Sequence, residues 1–312
     1  MKELSVTVPY AGWTRALFQK MEEGVSNAEE MFEYAKNCGI EAIDFSLEAP
    51  LSFSRVGKRE KAEFYLKTTE ELLEYFAPVK AAAEKTGIEL PMAHAPFPTY
   101  VADDDDYNEY LFGALEKSIA VCGYLGIPAV VIHPQHNVDK ALERELNLAL
   151  YRKLIPIAKK HGVKICLENL FVRTARHVVE GCCCDPDEAI DYIDTLNAEA
   201  GVDMFGFCFD LGHANITNIN FRDFIRKLGK RIMLVHLHDN DGVEDMHRIP
   251  MTLLRTDWEG LIAGLRDIGY RGPLDFEIVY VLFAINKNLV SANLRYISEV
   301  GKYLRERLLA DE

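Results

Sequence analysis

The chain has no apolar run long enough to cross a bilayer. Its opening, Met1-Lys2-Glu3-Leu4-Ser5-Val6, lacks the apolar segment and cleavage site of a signal peptide. Membrane insertion and export are therefore not expected. A disulfide framework is missing too. The seven cysteines, Cys38, Cys122, Cys166, Cys182, Cys183, Cys184 and Cys208, are odd in number and unevenly spaced, which suits a reducing cytoplasm. Basic residues are scarce: 35 Lys and Arg against 49 Asp and Glu leave a formal net charge of −14. That balance opposes non-specific attachment to nucleic acid or to an anionic membrane. No stripe of Lys and Arg interleaved with aromatics stands out, and no glycine-rich phosphate cradle. No polar linker requires a domain boundary, so residues 1–312 read as one domain around one large core.

Several local features look like sites and are not read as such. Cys182-Cys183-Cys184 cannot reproduce the separated pairs of a structural zinc site, so these are expected to be loop or packing residues. Asp103-Asp104-Asp105-Asp106 lacks the alternating ligands and central glycine of a calcium loop and reads as a solvated loop. His136 is placed outside the site. So is His161, which precedes Gly162 and fits a helix end, where an imidazolium can meet the last carbonyls. Nothing local decides the role of His177.

What is present is a repeating alternation of apolar strands and helical tracts. Strands are expected over Leu4–Val8, Ile40–Phe45, Ile88–His94, Ala129–His133, Val163–Glu168, Met204–Asp210, Ile232–His236 and Leu274–Glu277. Helical periodicity covers Gly24–Cys38, Lys58–Thr86 with a break near Pro78, Asn108–Leu125, Lys140–His161, Asp187–Asn197, Phe221–Leu228, Trp258–Ile268 and Asn288–Leu309. The apolar runs are continuous more often than alternating, as in parallel strands covered by helices. Eight such units fit an α/β fold of the (β/α)8 barrel type, with strand ends gathered around one mouth. An open doubly wound sheet is the rival, and it would spread the same residues along an edge.

Six of these runs finish on a possible metal ligand: His94, His133, Glu168, Asp210, His236 and Glu277. Carboxylates converging without a cation would repel one another. A divalent ion held by oxygen and imidazole resolves that repulsion, so Glu168, Asp210, His236 and Glu277 form the expected primary shell. Three residues after Asp210, His213 can swing toward the same mouth to bind metal, orient a water or contact substrate. His238 either shares a face with His236 or belongs to the following loop, depending on where the strand stops. Further along, Asp245 and His247 make a second metal pair, and Arg248 either meets a substrate anion or pairs with Asp245. Tyr10 and Trp13, in the first strand–helix loop, are candidates for an apolar pocket wall.

In order, Val131-Ile132-His133-Pro134, Cys166-Leu167-Glu168-Asn169, Phe209-Asp210-Leu211-Gly212-His213, His236-Leu237-His238-Asp239, Asp245-Met246-His247 and Phe276-Glu277 resemble the xylose-isomerase-like superfamily. More narrowly they resemble its sugar phosphate isomerase/epimerase group, which has relatives among the endonuclease IV enzymes. The resemblance implies a metal-dependent TIM barrel. In the ketose epimerase branch, the positions of Glu168, Asp210, His236 and Glu277 hold one divalent cation, and the two glutamates are the acid/base pair. In the endonuclease branch, positions matching His94, His133, Glu168, Asp210, His213, His236, Asp245, His247 and Glu277 hold three zinc ions. The expectation is therefore a sugar or sugar phosphate isomerase or epimerase using manganese or zinc. The alternatives are a metal-dependent phosphodiesterase and a sugar-binding protein without turnover.

Overall fold

The computed structural model describes residues 2–9, 28–253, 255–278, 286 and 289–310. Eight parallel strands close into a barrel: β1 (Val6–Pro9), β2 (Ala42–Ser46), β3 (Glu89–His94), β4 (Ala129–Val131), β5 (Lys164–Glu168), β8 (Phe205–Asp210), β9 (Ile232–His236) and β10 (Leu274–Asp275). Two further strands, β6 (Phe171–Arg173) and β7 (Val178–Glu180), make an antiparallel hairpin in the loop after β5. The closed ring replaces the open-sheet rival and brings all strand ends to one mouth.

Helices return the chain from the mouth to the foot of the next strand. The helix Lys140–His161 begins where the Asp139 carboxylate accepts the amides of Ala141 and Leu142, and it ends at Gly162 in a left-handed conformation (φ 67°). The acidic run is not a plain loop. Asp104 caps the helix Asp105–Leu125 by accepting the Tyr107 amide at 3.2 Å, and Asp105 and Asp106 sit in its first turn, where the helix dipole favours anions. The expected tract from Lys58 to Thr86 is instead several pieces, among them Thr69–Tyr75 and Ala77–Thr86, the second starting with Pro78 in its first turn.

Apolar packing falls into two layers. The larger lies between barrel and helices and contains Phe32, Phe45, Tyr151, Phe205 and Phe207. Inside the barrel, Met92, Ala129, Val131, Cys166, Cys208 and Leu234 form a separate cluster. All of those come from β3, β4, β5, β8 and β9. The other side of the interior, from β10 through β1 to β2, carries buried polar residues: Ser5, Thr7, Asp44, Ser46 and Asp275. No helix among the described residues is long and apolar enough to cross a membrane.

All seven cysteines are buried and free, the triple run included. His136 pairs with Glu143 at 2.9 Å, and His177 lies exposed at the turn of the β6–β7 hairpin. His161 does close its helix, and burial lowers its pKa. Tyr10 and Trp13 lie outside the described residues.

Candidate metal centre

Glu168, the last residue of β5, lies at the middle of the mouth and is 1% exposed. One carboxylate oxygen, Oε2, faces His133 Nε2 at 3.0 Å and His94 Nε2 at 3.7 Å. The other, Oε1, faces His213 Nδ1 at 3.3 Å and His236 Nδ1 at 3.4 Å. One carboxylate thus joins two flanks. Burial alone would raise its pKa, but His236 and His133 outweigh that and hold it well below the carboxylate range.

On the first flank, His94 closes β3 and His133 stands two residues beyond β4, with their Nε2 atoms 3.0 Å apart. His94 Nδ1 lies 2.9 Å from the Ala95 carbonyl. A carbonyl can only accept, so Nδ1 carries the proton, and in the neutral ring the Nε2 lone pair faces His133 and Glu168. Burial disfavours both imidazolium ions. For His94 the Glu168 hydrogen bond, with Glu48 and Glu277, outweighs burial and pushes the pKa up to about 9, while His133 is lowered. Phe97 packs on this flank, its ring centroid 4.4 Å from His133 and 5.3 Å from His94.

The centre holds Asp210, His236 and Glu277. His236 Nδ1 lies 3.4 Å from Glu168, 3.7 Å from Asp210 and 3.4 Å from Glu277. Asp210 also caps the short helix Leu211–Ile216, its Oδ1 accepting the His213 amide at 2.6 Å. That turn aims the His213 ring back into the mouth. Asn169 stitches the ends of β5 and β8 together: its Nδ2 donates to the Asp210 carbonyl at 2.8 Å and its Oδ1 accepts the Asp210 amide at 2.9 Å.

The second flank is His213, Asp245 and His247. Asp245 Oδ2 is 3.0 Å from His247 Nε2 and 3.7 Å from His213 Nε2. Both imidazoles are oriented by backbone carbonyls, His213 Nδ1 on Asn169 at 2.9 Å and His247 Nδ1 on Glu277 at 2.8 Å. As with His94, in the neutral ring this leaves the Nε2 lone pair on the side of the acid, where a cation would stand. A ring nitrogen fixed this way on an outer acceptor is the usual arrangement of a metal-ligating histidine. Burial opposes charge on His247, yet Glu277 and Asp245 push its pKa up to about 10, while the two histidines depress Asp245. Asp245 therefore pairs with histidines and not with Arg248, whose side chain is exposed.

The loop carrying Asp245 and His247 is anchored by Asp239, which is fully buried. Its carboxylate accepts the Thr252 amide at 2.7 Å, the Leu253 amide at 3.2 Å and the Trp258 Nε1–H at 3.1 Å. Backbone bonds between Asp239 and Arg248 close the loop. His247 has a φ of 43°, a left-handed backbone that a non-glycine residue adopts only under constraint.

His238 lies past the end of β9, and its Nε2 still comes within 3.4 Å of Asp210. Its ring stacks on His247 with centroids 4.1 Å apart, and it lies over Gly212, where a Cβ would come within 1.8 Å of Cε1. The sequence alone does not place His238, and it carries no sign that Asp44, Glu48 or Asp275 belongs near the site. The signal for Gly212 and His238 was their place in the phrases around Asp210 and His236. The inward carboxylates of β2 and β10 had no signal beyond a charge inside an apolar run.

Ligand atoms of His94, His133 and Glu168 lie within 4.8 Å of one another, as do those of His213, Asp245 and His247. The donor set fits divalent metal: carboxylate oxygens and oriented imidazoles, buried, with lone pairs turned toward one another.

Comparison with known proteins agrees with this architecture. Residues 32–300 match the model of the xylose isomerase-like TIM barrel family. An uncharacterised protein of Sinorhizobium fredii is 25% identical over 195 residues, 60% of this chain and 59% of that one. The D-psicose 3-epimerase of Enterocloster bolteae is 30% identical over 142 residues, 45% of this chain and 42% of that one. Each match spans less than two thirds of the relative's length. The crystal structure of the D-psicose 3-epimerase of Clostridium cellulolyticum H10 with D-tagatose superposes at a TM-score of 0.67, with 15% identity, over 96% of this chain and 99% of that one. With most of its length matched by one family model, the chain belongs to the xylose isomerase-like TIM barrel family.

Proposed function

We propose that this protein is a divalent-metal-dependent isomerase or epimerase of a ketose, a related polyol or a sugar phosphate, with residues 1–312 as one catalytic domain. The observation that carries the reading is the convergence of Glu168 and Glu277 on one nitrogen, His236 Nδ1, each at 3.4 Å. Glu168, Asp210, His236 and Glu277 would hold the ion. A divalent cation there supplies Lewis acidity, easing the charge that builds when a carbon beside a carbonyl loses its proton. The chain's own groups do the rest. Glu277, whose side chain is 16% exposed against 1% for Glu168, is the better placed to meet a substrate C–H bond. Glu168 lies deeper, among four imidazoles, and is its partner on the inner side. Return of the proton to the opposite face gives epimerisation, and its transfer to the neighbouring carbon gives isomerisation. His213, committed to Asn169 and Asp245, shapes the site and lines the substrate's oxygens, while exposed Arg248 serves an anionic substituent. Tyr10 and Trp13 are the proposed apolar wall. Manganese suits the oxygen-rich centre and zinc the histidine-rich flanks. The seven free, buried thiols suit a reducing cytoplasm.

The two flanking sets favour a second reading, a multinuclear phosphodiesterase, since each brings three ligand atoms together beside the centre. A panel of ketoses, their phosphates and a phosphodiester, incubated with metal-reconstituted protein in deuterated water, separates the readings. Deuterium entering a sugar C–H position is expected. Cleavage of a phosphodiester with no exchange into any sugar would establish the rival. Sugar binding without exchange, unchanged in Glu277→Gln, would leave a binding protein.

A further inference from the structure

The polar side of the barrel interior has a geometry the mouth does not explain. His236 presents Nδ1 to three carboxylates at the mouth, so its other nitrogen, Nε2, points the other way and is buried without a hydrogen-bond partner. Asp275 is the direct cross-strand neighbour of His236 in the β10–β9 register. The ligand atoms of Asp44, His236 and Asp275 lie within 4.8 Å of one another. Both oxygens of Asp275, Oδ1 of Asp44 and the hydroxyls of Ser5 and Ser46 are also buried and unpartnered, and each of these residues is at most 2% exposed. A buried donor with no acceptor is destabilising, and an isolated buried carboxylate more so, so such groups are retained where they answer one another.

If Nδ1 of His236 offers its lone pair to a cation, the ring's one proton must sit on Nε2. That proton needs an acceptor inside the barrel. The Cys208 thiol also lies against the ring, but sulfur is a poor acceptor beside a carboxylate. We infer that Asp275, backed by Asp44, is a positioning residue that takes the Nε2–H of His236, directly or through one water lodged with Ser5 and Ser46, and so fixes the tautomer and tilt of this imidazole. The inference rests on the proposed metal role of His236. It makes the polar side of the interior an outer shell of the metal centre, three layers of side chain deep.

The test uses the full-length protein with Asp275→Ala, Asp275→Asn and Asp44→Asn. Affinity for Mn2+ and Zn2+ alone, by competition with a chelator, is expected to fall about 10- to 100-fold in Asp275→Ala. It should fall less in Asp275→Asn, which keeps an acceptor, and less again in Asp44→Asn. The nitrogen-15 spectrum of the His236 ring supplies an independent readout, with the Nε2–H resonance hydrogen-bonded in the wild type and shifted in Asp275→Ala. Wild-type metal affinity in Asp275→Ala, with an unmoved Nε2–H resonance, overturns the assignment. If the wild type binds neither metal, the functional reading falls, and the resonance in metal-free protein still decides whether Asp275 holds the ring.

Discussion

His94 and His133 are delivered by strands, whereas Asp245 and His247 are delivered by a loop. On the first flank, β3 and β4 run side by side, and the ladder continues past them as Ala95 donates to Val131 and Ile132 to Cys166, each at 3.0 Å. Sheet register alone then sets the two rings together. On the second flank no strand reaches the acid, and one buried carboxylate, Asp239, collects the donors that close the loop. Asn240 adds a tie to the opposite turn by donating to the Gly212 carbonyl at 2.8 Å. The arrangements present similar side chains with unlike tolerance to damage: the first shares its support with the whole barrel, and the second hangs on a few side-chain hydrogen bonds.

Removing the residue common to both flanks should do the most harm. Glu168→Gln is expected to lower sugar turnover by roughly 10²–10⁴-fold and to reduce bound metal on both sides, read by isotope exchange and elemental analysis. Equal metal content with full turnover would show that neither flank depends on it. Asp239→Ala should divide the flanks. It leaves the Thr252, Leu253 and Trp258 donors without their acceptor, at about 1–3 kcal/mol each where they stay dry. Metal should be lost from the His213–Asp245–His247 side while the His94–His133 side keeps its own, visible as anomalous scattering at only one flank. Loss from both, or neither, would dissolve the distinction.

A gentler probe is pH. In metal-free protein the pKa of His94 is raised from 6.5 to about 9 and that of His247 from 6.5 to about 10. A raised histidine contributes stability that is complete below the unfolded value near 6.5 and is lost as pH climbs through the folded value. Melting temperature of chelator-treated protein should therefore decline from about pH 6.5 toward 10, the His94 part going first. Metal-loaded protein should lack that decline, because cation and proton compete for the same lone pairs. Identical pH profiles with and without metal would mean that these imidazoles hold no ion.

Much of this was legible in the sequence because barrel strands advertise themselves as apolar runs and the proposed ligands close them. Helices such as Lys140–His161 and Phe221–Leu228 match their expected bounds, carrying clear caps and periodicity. What escaped did so for physical reasons. The β6–β7 hairpin has strands of three residues, too short to show alternation, and its Arg173 is fixed by Glu244 at 2.7 Å from a distant loop. The helix Leu211–Ile216 hides because its cap, Asp210, reads first as a proposed ligand, while the same carboxylate accepts the His213 amide. Asp44 and Asp275 were passed over because a strand pattern says which residues face inward, not that an inward residue is polar for a reason. The second flank was proposed as a pair, Asp245 and His247, but the part of Asp239 in holding it depends on contacts that span the loop.

The Asn169 side chain has a consequence for motion. By donating to and accepting from Asp210 it behaves as one more rung of the β5–β8 ladder, laid across the gap where the strands would otherwise be free to fray. The tips bearing Glu168 and Asp210 then fluctuate as one body, and opening one drags the other. A mouth whose two inner acids move in step can admit a substrate by shifting its loops while the spacing of the charges that must meet it stays the same.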